Sequence, residues 1–280
     1  MNKTNLILGS LLISGAAIFS SCQKDAITNG FGNEDITSAL DEAFVDNESA
    51  KIDDIVNIVA YDDFSGVRGI IDQLPACATV TYDTLISPKS VTVDFGTTPC
   101  LSEWDNKYRT GILKIMWTGA MKEPGTVKTV STDNYFVGVN VDSLDKFDFT
   151  KTVTNMGLNA NGNVHFAIAV PSGTITLADG AIITWTANRD REWIQGIGTP
   201  DPNDDAFLIT GGSSGIDQLG QPFIVEITTP LLKNACAWIV SGIKEVTHGT
   251  NFTRIIDYGN GDCDDLALVK MNGNEKVIHL

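Results

Sequence analysis

The sequence predicts an all-β fold. It is a large antiparallel meander, in the form of a rolled sheet, a sandwich or a barrel, preceded by a short N-terminal helical segment. Three observations predict it. Apolar residues recur with period two from Ala78 onward, turn signals separate those runs, and two similar cysteine-bounded units open and close the strand-rich region.

Residues 1–21 read as a targeting segment. Lys3 supplies a short basic region, and the apolar run from Leu6 to Phe19 is too short to span a bilayer comfortably. Ser20-Ser21-Cys22 follows, and small residues directly before a cysteine are similar to a bacterial lipoprotein cleavage site, with Phe19 in place of the usual leucine. Cleavage before Cys22 and lipidation of its sulfur are expected. This also accounts for the cysteine parity: of five, one is lipidated and four are left to pair. Residues 22–35 are polar and read as a tether.

Residues 36–77 read as a helical segment and a connector. Apolar residues at Ile36, Leu40, Ala43, Phe44, Ile52, Ile55, Val56 and Val59 follow mostly helical spacing. Ser38 with Asp41 resembles a capping start. Asp46-Asn47-Glu48-Ser49 is a weak helical centre, so the segment is expected as one helix or two short ones, its apolar stripe packed against the main domain.

Residues 78–280 form the all-β domain. Val91, Val93 and Phe95 alternate with Thr92 and Asp94; Leu113, Ile115 and Trp117 share a face; Val164, Phe166, Ile168 and Val170 alternate; and Phe223, Val225 and Ile227 do the same. Asn161-Gly162-Asn163, Ala178-Asp179-Gly180 and Asn260-Gly261 are among the turns between runs. About a dozen strands are expected, more than a strongly twisted open sheet usually holds without curling or splitting.

The two units run from Cys77 to Cys100 and from Cys236 to Cys263. Each opens with Cys-Ala and a strand-like run, and each closes with Asp, an aromatic, Gly, three loop residues and Cys. Disulfides across neighbouring strands are expected, each stabilising by roughly 3–4 kcal/mol on the chain-entropy account. The repeat favours pairing within each unit, Cys77 with Cys100 and Cys236 with Cys263, over cross-unit pairing. Pairing of the terminal hairpins would close the sheet or lock its edges. No C-x-x-C or nearby His supports a metal, and no cofactor is expected.

Net charge is −16 in 280 residues, which disfavours nucleic acid and anionic lipid as partners. Gly211-Gly212-Ser213-Ser214-Gly215 matches G-x-S-x-G, but the following residues cannot start a helix, so it reads as a Gly/Ser loop rather than a nucleophile elbow. His165, His248 and His279 lack a carboxylate or cysteine partner at strand spacing. Asp257, Asn260, Asp262, Asp264 and Asp265 form an acidic turn, and Asp201, Asn203, Asp204 and Asp205 another; both read as solvated rather than calcium-binding. Trp185 and Trp193, beside the charged run Asn188 to Glu192, read as core or as a sugar-stacking face, with the arginines stacking or pairing across strands.

A series of motifs carries a family resemblance. Cys-Ala-Thr-Val-Thr, Val-Thr-Val-Asp-Phe-Gly, Asp-Asn-Tyr-Phe, Arg-Glu-Trp-Ile-Gln-Gly, Ile-Thr-Thr-Pro-Leu, Cys-Ala-Trp-Ile-Val-Ser-Gly and Ile-Asp-Tyr-Gly-Asn-Gly-Asp-Cys-Asp occur in that order. Together they resemble a family of uncharacterised cell-envelope lipoproteins from Bacteroidota, across nearly the whole mature chain. The resemblance implies an envelope location. Gln23, where inner-membrane retention often uses Asp, favours the outer membrane, on its periplasmic or surface face. It also implies O-glycosylation at Asp-Ser/Thr motifs, here Thr84 and Ser143. It carries no catalytic residues.

The expected function is therefore a non-enzymatic, lipid-anchored outer-membrane protein that binds or scaffolds an envelope protein or glycan. A glycan hydrolase, with Asp190, Glu192 and Glu226 as examples of strand-borne carboxylates, and a small-ligand carrier are the alternatives. Cavity shape discriminates among them: a filled core, an open acidic cleft and an enclosed apolar cavity respectively.

Overall fold

A computed structural model describes residues 36–59, 74–85, 87–199, 202–249 and 252–280. The targeting segment, Cys22 and the tether lie outside the described residues. One helix, α1 (Thr37–Val59), precedes fourteen strands: β1 (Thr79–Asp83), β2 (Lys89–Asp94), β3 (Cys100–Ser102), β4 (Lys107–Trp117), β5 (Val127–Asn140), β6 (Ser143–Leu158), β7 (Val164–Thr176), β8 (Ile182–Gln195), β9 (Ala206–Ile216), β10 (Pro222–Lys233), β11 (Ser241–His248), β12 (Phe252–Asn260), β13 (Leu266–Met271) and β14 (Asn274–His279). All belong to one antiparallel sheet in chain order, except that β3 stands off the path and pairs only with β4.

The alternation read in the sequence is the reason for the strands. In β4, Leu113, Ile115 and Trp117 are buried while Lys114 and Met116 face out. In β7, Phe166, Ile168 and Val170 turn inward. Three hairpins use the same turn. Asn159, Leu177 and Asp217 each donate an N–H to the residue four positions on, and Gly162, Gly180 and Gly220 take φ of 80°, 91° and 77°. Glycine adopts that left-handed conformation without a Cβ clash.

The expected all-β meander is the observed fold, but the sheet is not closed into a barrel: β1 and β14 end the strand order without pairing to each other. The sheet curls around α1 instead. The thirteen strands of the path laid flat would span about 60 Å at the usual inter-strand spacing. Yet Ala43, Ile52, Ile55 and Val59 of α1 share one core cluster with Val91 and Val93 of β2, Phe147 of β6, Val225 of β10 and Ile278 of β14. One helix shares a core with both ends of such a sheet only when the sheet wraps it.

α1 is a single continuous helix, so the expectation of a weak centre is corrected. It starts at Thr37, with the Leu40 N–H bonded to the Ile36 carbonyl, rather than at a Ser38 cap. Its centre holds because Asp46 and Glu48 are bound by strand cations, and tertiary contacts override a weak local preference. The helix is also buried beyond its apolar stripe: Asn47 and Glu48 are fully buried, and Leu40 alone of the stripe counts as exposed.

The disulfides are Cys77–Cys100 and Cys236–Cys263, with Cα separations of 5.9 and 5.6 Å. They pair within units, yet clip connections rather than neighbouring strands. Cys77 precedes β1 and Cys100 opens β3, while Cys236 and Cys263 sit in the β10–β11 and β12–β13 connections. The run after Cys236 is not a strand. The Asp-aromatic-Gly repeat does fold alike: Asp94 accepts from the Gly96 N–H at 2.7 Å and Asp257 from the Gly259 N–H at 3.0 Å, which turns Phe95 and Tyr258 into the core.

Candidate functional site

The most concentrated chemistry lies between α1 and the concave face of the sheet. α1 presents Asp41, Glu42, Asp46, Glu48, Asp53 and Asp54. Seven strand cations meet five of these carboxylates: Lys107 and Arg109 of β4, Lys151 of β6, Arg189 and Arg191 of β8, Lys233 of β10 and Lys244 of β11. The cations are there because they occupy inward phases of their strands. Lys151 follows Phe147 and Phe149 in β6, and Arg189 and Arg191 follow Trp185 and Ala187 in β8.

The pairs fall into groups along the helix. Asp41 accepts from the Gln218 side chain at 2.6 Å. Asp46 receives Lys244 at 2.7 Å and Arg189 at 3.0 Å, and Lys244 also lies 3.7 Å from Glu42. Glu48 accepts from the Tyr135 hydroxyl at 2.9 Å and from Arg109 at 3.2 Å. Asp53 accepts from Lys151 at 2.5 Å, and Asp54 from Lys233 at 2.9 Å. Burial pushes the Asp46 and Asp53 carboxyls up, but the adjoining cations reverse this and hold both below the usual range. Asp41 and Glu42 are less compensated, and burial pushes them up to about 6 and about 7.

Near the C-terminal half of α1 are two small cavities, about 10 and about 40 Å³ in volume, both lined by Trp104 and Ile58. Lys51 and Asp105 line the first; Asp54, Asn203 and Lys233 line the second. A wider recess of about 230 Å³ lies between β12 and β13, lined by Asp257, Asp262, Asp264, Leu266 and Val277.

The residues singled out in the sequence are dispersed. Gly211 to Gly215 are neither elbow nor loop: they lie within β9 and pair with β8 and β10. Glycine is needed at position 215 because a Cβ there would meet the Thr184 carbonyl oxygen and come within 2.7 Å of the Phe223 ring. The histidines do have carboxylates, contrary to expectation. His165 Nδ1 lies 2.7 Å from Asp190, His279 Nδ1 2.7 Å from Asp265, and His248 Nε2 3.4 Å from Asp217. Each contact joins residues far apart in sequence, so spacing alone conceals it.

Trp185 is core, packed edge-on to Phe147 and against Phe149, so it offers no sugar face. Trp193 is half-buried between Phe166 and Phe207 and donates to Asp205 at 3.1 Å. The charged run beside it divides between two faces. Arg189 and Arg191 reach α1, while Asp190 and Glu192 stand outside, where Asn161 and Asn163 donate to Glu192.

The acidic turns are tied into the structure rather than merely solvated. Asp257 binds Lys270, Asp264 accepts the Leu266 N–H, and Asp204 accepts the Thr199 hydroxyl. Asp201 lies outside the described residues. Among the described residues, no group of three or more His, Cys, Asp and Glu is placed to hold a metal ion. Thr84 and Ser143 are both exposed.

Sequence reasoning missed the helix–sheet ion pairs and Lys51. The available signal was phase: a lysine or arginine at an inward position of a strand needs a buried counter-charge. Comparison with protein-family models, curated proteins and solved structures yields no match.

Proposed function

We propose that this chain is a non-enzymatic protein of the cell envelope, anchored in the outer membrane by a lipid on Cys22, that binds or scaffolds an envelope protein or glycan. The observation that carries this reading is the filled interior. α1 occupies the concave side of the sheet, where a carrier of this shape would keep its ligand, and it is held there by buried ion pairs. Partner recognition is thereby left to the convex face, the hairpins and the recess between β12 and β13. Two disulfides accord with an oxidising compartment. The targeting segment and the cysteine parity support the anchor.

A glycan hydrolase is the second reading, and one observation favours it. His165, Asp190 and Glu192 gather on the outer face, with His165 opposite Glu192 in register. The test is a binding screen of residues 23–280 against envelope glycans and proteins, run beside a hydrolysis assay on the same glycans. Saturable binding without turnover is expected. Turnover abolished by Glu192→Gln or Asp190→Asn would replace the binding reading with the hydrolase. Metabolic labelling with a palmitate analogue is expected to mark the wild type and not Cys22→Ala.

A further inference from the structure

The sheet parts between β12 and β13. These strands pair at three positions: Ile255 with Lys270, Ile256 with Val269 and Asp257 with Leu268. The same register would next set Tyr258 against Ala267 and Gly259 against Leu266, but neither pair forms. Each strand keeps its other neighbour, for Asn260 pairs with Ser241 of β11 and Leu266 with His279 of β14. Local bonds hold the two sides apart. The Asp257 carboxylate takes the Gly259 N–H at 3.0 Å, and the Gly261 N–H reaches the Val240 carbonyl at 2.9 Å. Across the gap, the Leu266 N–H goes to the Asp264 carboxylate at 3.1 Å and the Leu280 N–H to the Asp265 carbonyl at 2.8 Å. The Cys236–Cys263 disulfide ties the intervening turn to the β10–β11 connection. The recess of about 230 Å³ lies at this parting, so its shape is set before any ligand arrives.

Its floor is apolar. Ala267 and Val269 turn into the core, which leaves Leu266 and Leu268 to the convex side, both half-buried. Leu268 stands between Asp257 and the half-buried Val277 in one row across the strands. Leu266 and Leu268 lie about 7 Å apart at the usual strand rise. The rim is negative. Asp262 and Asp264 are exposed, and among the described residues neither has an ion pair, whereas Asp257 is matched by Lys270 at 2.9 Å and Asp265 by His279 at 2.7 Å. The volume falls short of the roughly 300–1,000 Å³ of pockets that enclose whole small molecules. The parted stretch is also too short to take an added strand. Its size is that of one long side chain.

We propose that the recess docks a long basic side chain, lysine or arginine, of a partner protein. The aliphatic stem lies on Leu266, Leu268 and Val277, and the cationic head stands at the rim beside Asp262 and Asp264. Such side chains bury their stems on apolar surface while keeping the charged end in water, which is the division this recess offers. A neutral side chain of the same length gains the floor without the rim, and an acidic one is repelled by the rim. The proposal rests on the reading of this chain as a binding protein and names the chemistry of its partner.

The test is an NMR titration of the isotopically labelled, oxidised protein with Nα-acetyl-lysine N-methylamide, read at the methyl groups of Leu266, Leu268 and Val277. The norleucine and glutamate derivatives are titrated beside it. The lysine derivative is expected to shift these methyls saturably, the norleucine derivative to bind about fivefold more weakly, as exposed ion pairs allow, and the glutamate derivative not to bind. Asp262→Asn combined with Asp264→Asn is expected to lower the lysine derivative to the norleucine level. The amide oxygen at position 264 still accepts the Leu266 N–H, so the recess is kept. Equal affinity for lysine and norleucine in the wild type would overturn the proposal. Lysine binding undiminished in the double variant would do so too, as would larger shifts at the acidic turn 203–205 than at the recess. Each of these results leaves the binding reading standing, because that reading falls on glycan turnover instead.

Discussion

Arg109 shows how the interior is held at the scale of one residue. Its Nε donates to the Tyr135 hydroxyl at 2.9 Å, its Nη1 to Asp105 at 3.0 Å, and its Nη2 to Asp105 at 2.7 Å and to Glu48 at 3.2 Å. Removing one partner of such a group leaves buried charge uncompensated, at a cost of about 3–5 kcal/mol. Arg109→Met is expected to lower stability by that amount in urea titration. Asn47 is the opposite case: it is fully buried on α1, and neither its amide nitrogen nor its oxygen has a hydrogen-bond partner. An unpaired buried polar group costs about 1–3 kcal/mol, so Asn47→Leu is expected to raise the melting temperature. Gly215→Ala tests the close approach of β9 to β8. The added methyl runs into the Thr184 carbonyl, and a loss of about 1–3 kcal/mol is expected from overpacking.

At the scale of the element, α1 carries a pH signature. Burial raises Glu42 to about 7 in the fold, above its free value of 4.5, so the native state holds the extra proton. The stability this contributes is full below pH 4.5 and is lost as the pH rises through about 7. Asp41 acts in the same direction up to about 6. Lys51 acts oppositely. Its amine is depressed from 10.5 to about 7, so its contribution is present above pH 10.5 and is lost as the pH falls through about 7. Together these groups place a stability minimum near pH 7. At about 1.4 kcal/mol per pH unit, Glu42 alone accounts for about 3 kcal/mol between pH 4.5 and 7. Urea midpoints at pH 5, 7 and 9 check it: Glu42→Gln is expected to flatten the acid side of the minimum, and Lys51→Met the alkaline side. Below pH 4, loss of the depressed Asp46 and Asp53 carboxylates is expected to begin unfolding.

At the scale of the molecule, the ion pairs around α1 shape the surface. The chain has 19 basic residues against 35 acidic ones, and seven of the basic residues are committed to the helix. They take only five carboxylates with them, so the rest of the chain keeps 12 basic residues against 30 acidic ones and stays strongly acidic. Added salt screens exposed repulsion while hardly reaching buried pairs. The melting temperature is therefore expected to rise between about 0.02 and 0.5 M NaCl, where the Debye length shrinks from roughly 20 to a few Å. A fall would mean that the helix pairs are open to solvent. The disulfides act on the same scale, closing loops with sequence separations of 23 and 27. Reducing both is expected to cost several kcal/mol, at about 3–4 kcal/mol each.

The amino-acid order by itself determined most of the strands, though not the middle of β9 or the irregular run after Cys236, together with their antiparallel sequence and the pairing of cysteines within units. These depend on local signals: period-two alternation as in Leu113, Ile115 and Trp117, glycine turns as at Gly180, and a repeat whose two copies each close on themselves. Tertiary structure alone decided that the sheet curls around α1, that Asp46 meets Lys244, and that Lys51 is left without a carboxylate to itself. The Asp46–Lys244 contact joins residues 198 positions apart, and no local window contains both. The physical reason is the direction of burial. Alternation shows that a residue such as Lys244 points inward, but not what awaits it there, and an apolar stripe shows that α1 packs against the domain, but not that its charged faces are enclosed as well.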